Sequence, residues 1–360
     1  MSKNQSVSKR RNQLRIHLEE GNYKALVDIL LQRIGRGKPV SPLMGTTIFF
    51  AGPMVIGLLI ATFLGELSVW QRVIQNLLPN PILLIWIVFS LITASASMII
   101  ANVYFHKMVA TIRDHVLESV ESLETLNDIE NWVMLLCNKR LAWLTAVLGG
   151  LITSPIIIII NSSAAGVFVG IGHSALLFLF AAQSSLFISF IYGIMVFTFR
   201  LRGYELRLFE SDPANSEVIA RLSDSLSWFV YIVAVYGAAQ TFGIVTLQLP
   251  YFSFILFLFW IPIVAIFLMS QLSLSRIIQN SKWKALNTTQ QKIAAIQKKS
   301  ALKKEDQDNL LWLLNYHDRV KLTRNSAFDL KAGISFLNSM LLPLVGFILG
   351  NLDNVIAFFR

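Results

Sequence analysis

Apolar segments of helix length that lack charged residues recur along the chain. Between Arg140 and Arg200, 59 consecutive residues include no Asp, Glu, Lys or Arg. A bilayer core takes about 20 apolar residues per helical span, whereas a soluble domain needs polar residues wherever its surface meets water. The pattern therefore predicts membrane spans, and the seven windows that qualify are 43–65, 81–104, 141–162, 174–199, 227–247, 252–272 and 334–352.

The 59-residue uncharged stretch is expected to hold two spans. As one helix it would be about 88 Å long, but the hydrocarbon core is only about 30 Å thick. We expect the turn at 161–172, "NSSAAGVFVGIG". The preceding run Ile156–Ile160 is β-branched, as in a buried strand. A membrane β-barrel strand would alternate apolar and polar residues, so the unbroken run favours a helix.

The polar segments between the windows show amphipathic helical spacing. In 105–140, acidic residues share one face, and the opposite face has apolar residues at three- and four-residue steps: Ile112, Val116, Val120, Leu123 and Leu126. A similar stripe in 305–324 consists of Leu310, Leu313, Leu314, His317 and Val320. Residues 23–34 predict a short amphipathic helix suited to an anionic membrane surface. Asp212 and Pro213 predict a helix start as N-cap and first helical residue.

The distribution of charge predicts the topology. With seven spans, 29 of the 31 Lys and Arg residues fall on one side of the membrane. The positive-inside rule assigns that side to the cytoplasm. We therefore expect a cytoplasmic N-terminus and an outer C-terminus, although Pro343 and two glycines in the last window also allow a re-entrant segment.

The expected architecture is an all-α, polytopic membrane helical bundle of about seven spans with cytoplasmic amphipathic helices. Its successive parts begin with a basic N-terminal segment, 1–42, and a first hairpin, 43–104. An acidic connection, 105–140, leads to a second hairpin, 141–199, and a further connection, 200–225, to a third, 226–272. A basic cytoplasmic segment, 273–331, and a C-terminal span or re-entrant helix, 332–360, complete the chain.

Composition narrows the class of protein further. Only 14% of residues are charged, against about 25% in soluble domains. The net charge of +10 would suit nucleic acid in a soluble chain, but here it lies beside the spans. The aromatic neighbours of the basic run 291–304, Trp283 and Trp312, are too sparse to stack bases. Cys137 is the single cysteine, so no intramolecular disulfide is expected. The polar first 42 residues are too long a lead for a cleaved signal peptide, and the cytoplasmic basic bias suits a bacterial cytoplasmic membrane.

No residue pattern predicts an enzyme. Ionisable residues inside spans usually mark membrane chemistry, and all charged residues lie outside the predicted spans. Phosphate-binding loops, His-Glu-x-x-His, paired cysteines and Gly-x-Ser-x-Gly are missing from the sequence. We therefore expect no catalytic residues, no metal and no cofactor.

A few polar residues and prolines within spans are candidates for function. Gln183 and Gln240 would bond to neighbouring helices or line a pore. Small polar residues on shared helix faces allow the same two interpretations: Ser90, Thr93, Ser97 and Thr241. His173 is a weak candidate, since it stands alone where a helix would meet water. Candidate kinks lie at Pro53, Pro155, Pro262 and Pro343.

These features favour a non-enzymatic regulator or scaffold whose cytoplasmic helices form oligomers or bind a partner protein. Expected partners also include the bilayer and anionic inner-leaflet lipids beside the basic segments, with no nucleic acid. The acidic 105–140 and basic 276–304 segments have opposite charge and are predicted to meet within or between subunits. The alternative is a channel or uncoupled transporter for a small solute.

Overall fold

The computed structural model describes residues 3–19, 28, 42–68, 71, 75, 79, 92, 96, 99–165, 171–246, 252–299 and 303–326. Its helices are α1 (Lys3–Glu19), α2 (Pro42–Phe63), α3 (99–119), α4 (Leu123–Leu136), α5 (Lys139–Ala165), α6 (Ile171–Leu201), α7 (Glu217–Thr246), α8 (Phe252–Gln297) and α9 (Lys304–Leu322). No strand forms in this part of the chain, apart from one isolated antiparallel bridge between Val120 and Leu206. The all-α prediction is confirmed.

Five of the seven apolar windows coincide with helices. They are the windows that lie on α2, α5, α6, α7 and α8. The isoleucine run Ile156–Ile160 is helical, as predicted, because it lies inside α5. α5 ends at Ala165 and α6 begins at Ile171, so the expected turn is shorter than 161–172. Most of the window 81–104 and all of 334–352 lie outside the described residues.

Helix length and composition identify fewer spans than the sequence windows do. Within the described residues, Ile263–Gln297 is long and apolar enough to cross a membrane. The helical segments Leu123–Leu136 and Lys139–Ile152 meet at a bend of 50°. They make a second candidate span if the two segments together count as one. The buried core helix of a soluble protein meets the same criterion, and 44% of the Ile263–Gln297 window is buried. The seven-span arrangement therefore stays a prediction.

α8 is one continuous helix across a predicted boundary. Its 46 residues correspond to about 69 Å of helix, more than twice the thickness of a bilayer core. The predicted span 252–272 and the first part of the basic segment 273–331 therefore form one rigid element. The helix also continues through Pro262.

The helices of the predicted second hairpin approach each other closely. Gly149 of α5 lies directly over Ser185 of α6, where an added Cβ would fall 2.3 Å from Ser185 Cβ. At Gly150, an added Cβ would lie 3.1 Å from Ala182 Cβ. Small residues at such crossings bring helix backbones within van der Waals contact.

Among the described residues, a large hydrophobic cluster joins the helices outside the predicted spans to parts of the longer helices. It includes side chains from α1, α3, α4, α6, α7 and α8. At its centre Trp132 of α4 is 1% exposed, and its indole N–H donates to the Gly193 carbonyl of α6 at 2.8 Å. Gly193 has no room for a side chain, because an added Cβ would lie 2.2 Å from Leu136 Cδ2. The tryptophan therefore holds α4 across α6.

The acidic connection is not one helix, which corrects the continuous stripe predicted for 105–140. α3 contains a π-helical turn, Ile112–Val116, and the backbone becomes extended at Val120. There the 204–208 segment pairs with it through Glu121 N–H to Glu205 O at 3.1 Å and Arg207 N–H to Ser119 O at 2.6 Å. The apolar residues of the stripe are nevertheless buried, with the exception of the half-buried Leu123.

The helix predicted to begin at Asp212 and Pro213 begins later. Pro213–Asn215 form a short 3₁₀ turn, and the Asp212 side chain does not cap it. Instead, Asn215 Nδ2 donates to Asp212 Oδ2 at 2.6 Å. α7 begins at Glu217. The residue before it is Ser216, whose hydroxyl accepts a hydrogen bond from the Phe209 N–H at 2.8 Å.

α8 and α9 form an antiparallel helical hairpin with a buried lysine at its base. Ile293 and Ile296 of α8 pack on Leu313 of α9. The stripe predicted in 305–324 is buried at Leu313 and Val320, but the prediction is wrong for Leu314, which lies on another side of the helix and is 42% exposed. Near the other end of α9, Lys282 Nζ donates to Lys321 O at 2.8 Å, Thr323 O at 2.7 Å and Asn325 Oδ1 at 2.8 Å. The ammonium satisfies backbone carbonyls that a helix C-terminus leaves without partners.

Replacing Lys282 with methionine is expected to loosen the end of α9. Lys282 is 7% exposed, so its hydrogen bonds are shielded from water, and the loss should cost about 1.5–3 kcal/mol of unfolding free energy. Amide hydrogen exchange in 318–326 should become faster. The matched control is Lys284→Met, since the Lys284 side chain is 78% exposed. Equal exchange in both variants would contradict the capping role.

Candidate functional site: the helical layer outside the predicted spans

The N-terminal helix α1 docks on the acidic connection. Its residues Val7, Leu14 and Leu18 are buried in the main hydrophobic cluster, at seven- and four-residue steps that define one helix face. The sequence predicted a helix at 23–34, which, apart from Asp28, lies outside the described residues. It did not predict α1, because only four apolar residues, Val7, Leu14, Ile16 and Leu18, interrupt a polar, basic segment.

Arginines of α1 form ion pairs with acidic residues of α3 and α4. Arg10 forms an ion pair with Glu130, whose side chain is 14% exposed, and its Nε donates to Asn127 Oδ1 at 3.3 Å. Arg15 Nη1 lies 3.3 Å from Glu118 Oε1. Because the pairs flank the buried stripe, charge and hydrophobic contact select the same docking position for α1.

A third arginine connects α1 to the extended part of the connection. Arg11 Nη2 donates to the Val120 carbonyl at 2.6 Å, at the residue where α3 has ended and the bridge to Leu206 forms. A helix interruption exposes carbonyls that need donors. The N-terminal helix therefore stabilises the interruption itself.

The predicted contact between the acidic and basic segments occurs at one ion pair. Lys284 Nζ lies 3.4 Å from Glu121 Oε2, and both side chains are well exposed. Exposed pairs contribute about 0.2–1 kcal/mol. Within the described residues, the acidic connection is thus held mainly by the arginines of α1 rather than by the lysines of α8.

A buried tyrosine network joins α4 to the end of α6. Tyr204 Oη donates to Asp128 Oδ2 at 3.0 Å, and the Arg200 guanidinium pairs with the other oxygen of the same carboxylate. Burial, followed by the charge of Asp128, raises the pKa of the Tyr204 phenol above its ordinary value. The phenol therefore stays a hydrogen-bond donor at neutral pH.

The α8–α9 hairpin extends beyond the main cluster as an arm, which we define as residues 282–297 and α9. Its interior is the stripe between the two helices. Its surface exposes large apolar side chains, namely Trp283, Leu311, Trp312, Leu314 and Leu322. Trp312 and Tyr316 stack on one another with ring centroids 5.4 Å apart and an interplanar angle of 11°. Exposed aromatic residues are common at the centres of protein interfaces.

The polar residues predicted for a pore or for helix packing are not tested. Gln183 and His173 lie on α6, and Gln240 and Thr241 on α7, but their side chains are outside the described set. Ser90, Thr93, Ser97 and Pro343 fall on undescribed residues. Helices continue through Pro53, Pro155 and Pro262, and the kinks stay predictions. In the part of the chain that was searched, no group of three His, Cys, Asp or Glu residues is arranged to hold a metal ion.

Charge reversal at Arg10 is expected to release α1. Arg10→Glu would place a carboxylate against Glu130 and cost about 1.5–3 kcal/mol of docking free energy. Hydrogen exchange in 3–19 should rise, and the combination with Glu130→Arg should recover part of the protection. Lys9→Glu is the matched control, because Lys9 is exposed beside Arg10. Similar exchange after Lys9→Glu and Arg10→Glu would show that net charge, not the pair, holds the helix.

Cys137 is expected to react slowly with maleimides. Burial raises the pKa of its thiol to about 12, and the charge of Asp28 acts in the same direction. At pH 7.5 the thiolate fraction should fall about a thousand-fold below that of an ordinary cysteine. The labelling rate should rise about tenfold per pH unit between roughly pH 7 and 10. A cysteine at exposed position 287, in a Cys137→Ala chain, is the control, and a plateau for Cys137 below about pH 10 would contradict the shift.

Comparisons with known proteins do not assign the chain to a family. No family model matches it, and no curated protein or solved structure is similar to it.

Proposed function

We propose that this chain is a non-enzymatic, multi-span membrane protein that acts as a regulator or scaffold through its cytoplasmic helices. These helices would bind a partner protein or assemble copies of the chain. The observation that carries the proposal is the arm, which exposes Leu311 and Trp312 at 60% and 61% on a helix that otherwise contacts α8. Large apolar side chains clustered on a surface mark interaction sites.

Exposed aliphatic surfaces on the uncharged helices support the membrane part of the proposal. On α5 the exposed side chains include Leu144, Val147, Leu148, Leu151 and Ile152, and on α8 Ile261, Val264, Leu268 and Leu272. Each such side chain would gain about 1.5–3 kcal/mol on leaving water. Lipid acyl chains would cover these exposed side chains and remove them from water.

Aromatic and basic residues lie where the cytoplasmic boundary of the membrane is predicted. Trp143 is 61% exposed, one turn from the basic pair Lys139 and Arg140 at the start of α5. Lys107 Nζ lies 4.9 Å from the ring centroid of Trp228, which is 53% exposed. Tryptophan and basic residues favour the headgroup region. This distribution agrees with the proposed cytoplasmic N-terminus.

The non-enzymatic part of the proposal rests on the missing motifs and on the uncharged spans. The channel hypothesis, with Gln183 and Gln240 as pore residues, has no support in the described side chains and stays a prediction. A channel would conduct a solute, whereas a docking arm would contact a polypeptide. A transport measurement and a crosslinking measurement together therefore distinguish the two hypotheses.

The test combines transport with crosslinking. Purified protein in liposomes is expected to give no flux across a panel of ions and small polar solutes. In cells, a photoreactive benzoylphenylalanine at position 311 should crosslink to a polypeptide, either a partner or a second copy. The same group at position 151, on the exposed surface of α5, is the control and should crosslink to lipid. Solute flux, or the absence of a polypeptide adduct at position 311, would contradict the proposal.

A further inference from the structure

The exposed side of α9 has an ordered arrangement of charge. Glu305, Asp308, Trp312, Tyr316 and Arg319 are spaced by three, four, four and three residues, so they share one face of the helix. We name this the outer face of α9. It lies beside the buried stripe of Leu313 and Val320 and does not include it. All of its members are exposed except Tyr316, which is half-buried.

The outer face is acidic at one end, aromatic in the middle and basic at the other. Asp308 and Arg319 are separated by about 16 Å of helix. Among the described side chains, neither one forms an ion pair. Between them lies the stack of Trp312 on Tyr316, a rigid apolar surface with little rotamer entropy to lose. A ligand for this face must supply a basic end, an apolar centre and an acidic end.

This order of charges argues against three kinds of partner. Anionic lipid headgroups and nucleic acid would both be repelled by Glu305 and Asp308. A second copy in the same membrane is also disfavoured. α9 runs antiparallel to α8, which continues from a predicted span, so a two-fold axis along the membrane normal would pair two α9 helices in parallel. Parallel pairing sets like charges opposite one another, which is destabilising.

We propose that the outer face of α9 binds an amphipathic helix of a soluble cytoplasmic protein in the antiparallel direction. The partner helix has acidic residues near its N-terminus, which meet Arg319, and basic residues near its C-terminus, which meet Glu305 and Asp308. Its apolar centre covers Trp312. That charge order also suits the partner's own helix dipole. The inference rests on the proposed scaffold function and specifies the chemistry of its partner.

A peptide copy of α9 is a suitable probe, because α9 itself has an acidic first turn and a basic last turn. Free in solution, a peptide of residues 303–324 is able to approach the outer face in the antiparallel direction. It carries Leu313→Gln and Val320→Gln so that it does not replace α9 on α8. Binding of the fluorescein-labelled peptide to full-length protein in nanodiscs is measured by fluorescence anisotropy.

The expected result is saturable binding that depends on the aromatic centre. Trp312→Ala in the full-length protein should weaken binding about tenfold or more, as expected for an interface hot spot. Leu314→Ala is the matched control, because Leu314 is also exposed, at 42%, but lies on another side of α9. Equal affinity of the wild-type and Trp312→Ala proteins overturns the proposal, as does the absence of saturation at about 100 μM peptide.

A charge swap tests the direction of pairing. Protein with Asp308→Lys and Arg319→Glu should lose binding to the original peptide and regain it with a peptide that carries the same two changes. If the helices pair in parallel, the variant protein should bind the original peptide more tightly than the peptide that carries the same two changes. That result overturns the proposal. If position 311 forms polypeptide crosslinks while the peptide does not bind, the scaffold function stands and the partner chemistry is wrong. If both fail, the arm is not a docking element.

Discussion

The structure depends on one packing constraint, namely that α1, α3 and α4 share one hydrophobic cluster with α6, α7 and α8. The contact of Trp132 with Gly193 shows how tight this junction is. A side chain at Gly193 would displace Leu136, and loss of the indole would leave a buried carbonyl without that donor. Such close packing is expected to hold α1, α3 and α4 rigidly against α6, α7 and α8, because packed interiors resist small displacements.

Around this junction, polar groups stabilise the places where helices end. Arg11 donates to the carbonyl of Val120, where α3 gives way to extended chain. Lys282 donates to carbonyls at the C-terminal end of α9. In both cases a long basic side chain crosses from one helix to the terminus of another. The basic residues outside the predicted spans thus stabilise the fold, since these cations meet backbone dipoles as well as carboxylates.

The arm differs from the rest of the layer in what it leaves uncovered. Where α1 places its charges against the acidic connection, α9 leaves Asp308, Trp312 and Arg319 facing water. α9 therefore has a buried stripe that packs against α8 and a second, exposed face. The exposed face is the surface that the proposed scaffold function would use.

The sequence by itself determined the all-α class, the positions of most of the described helices and the buried stripe of α3, because apolar periodicity reports burial directly. For α9 it identified Leu313 and Val320, but it also placed the exposed Leu314 in the same stripe. It did not reveal α1 as a docked helix, the break at Val120 or the continuity of α8 through residue 272. These features arise from pairings distant in sequence: Arg10 with Glu130, the backbone of 119–121 with 205–207, and Trp132 with Gly193. The outer face of α9 shows the same division. Its residues were visible in the sequence, but only packing against α8 decided which side of the helix remained exposed.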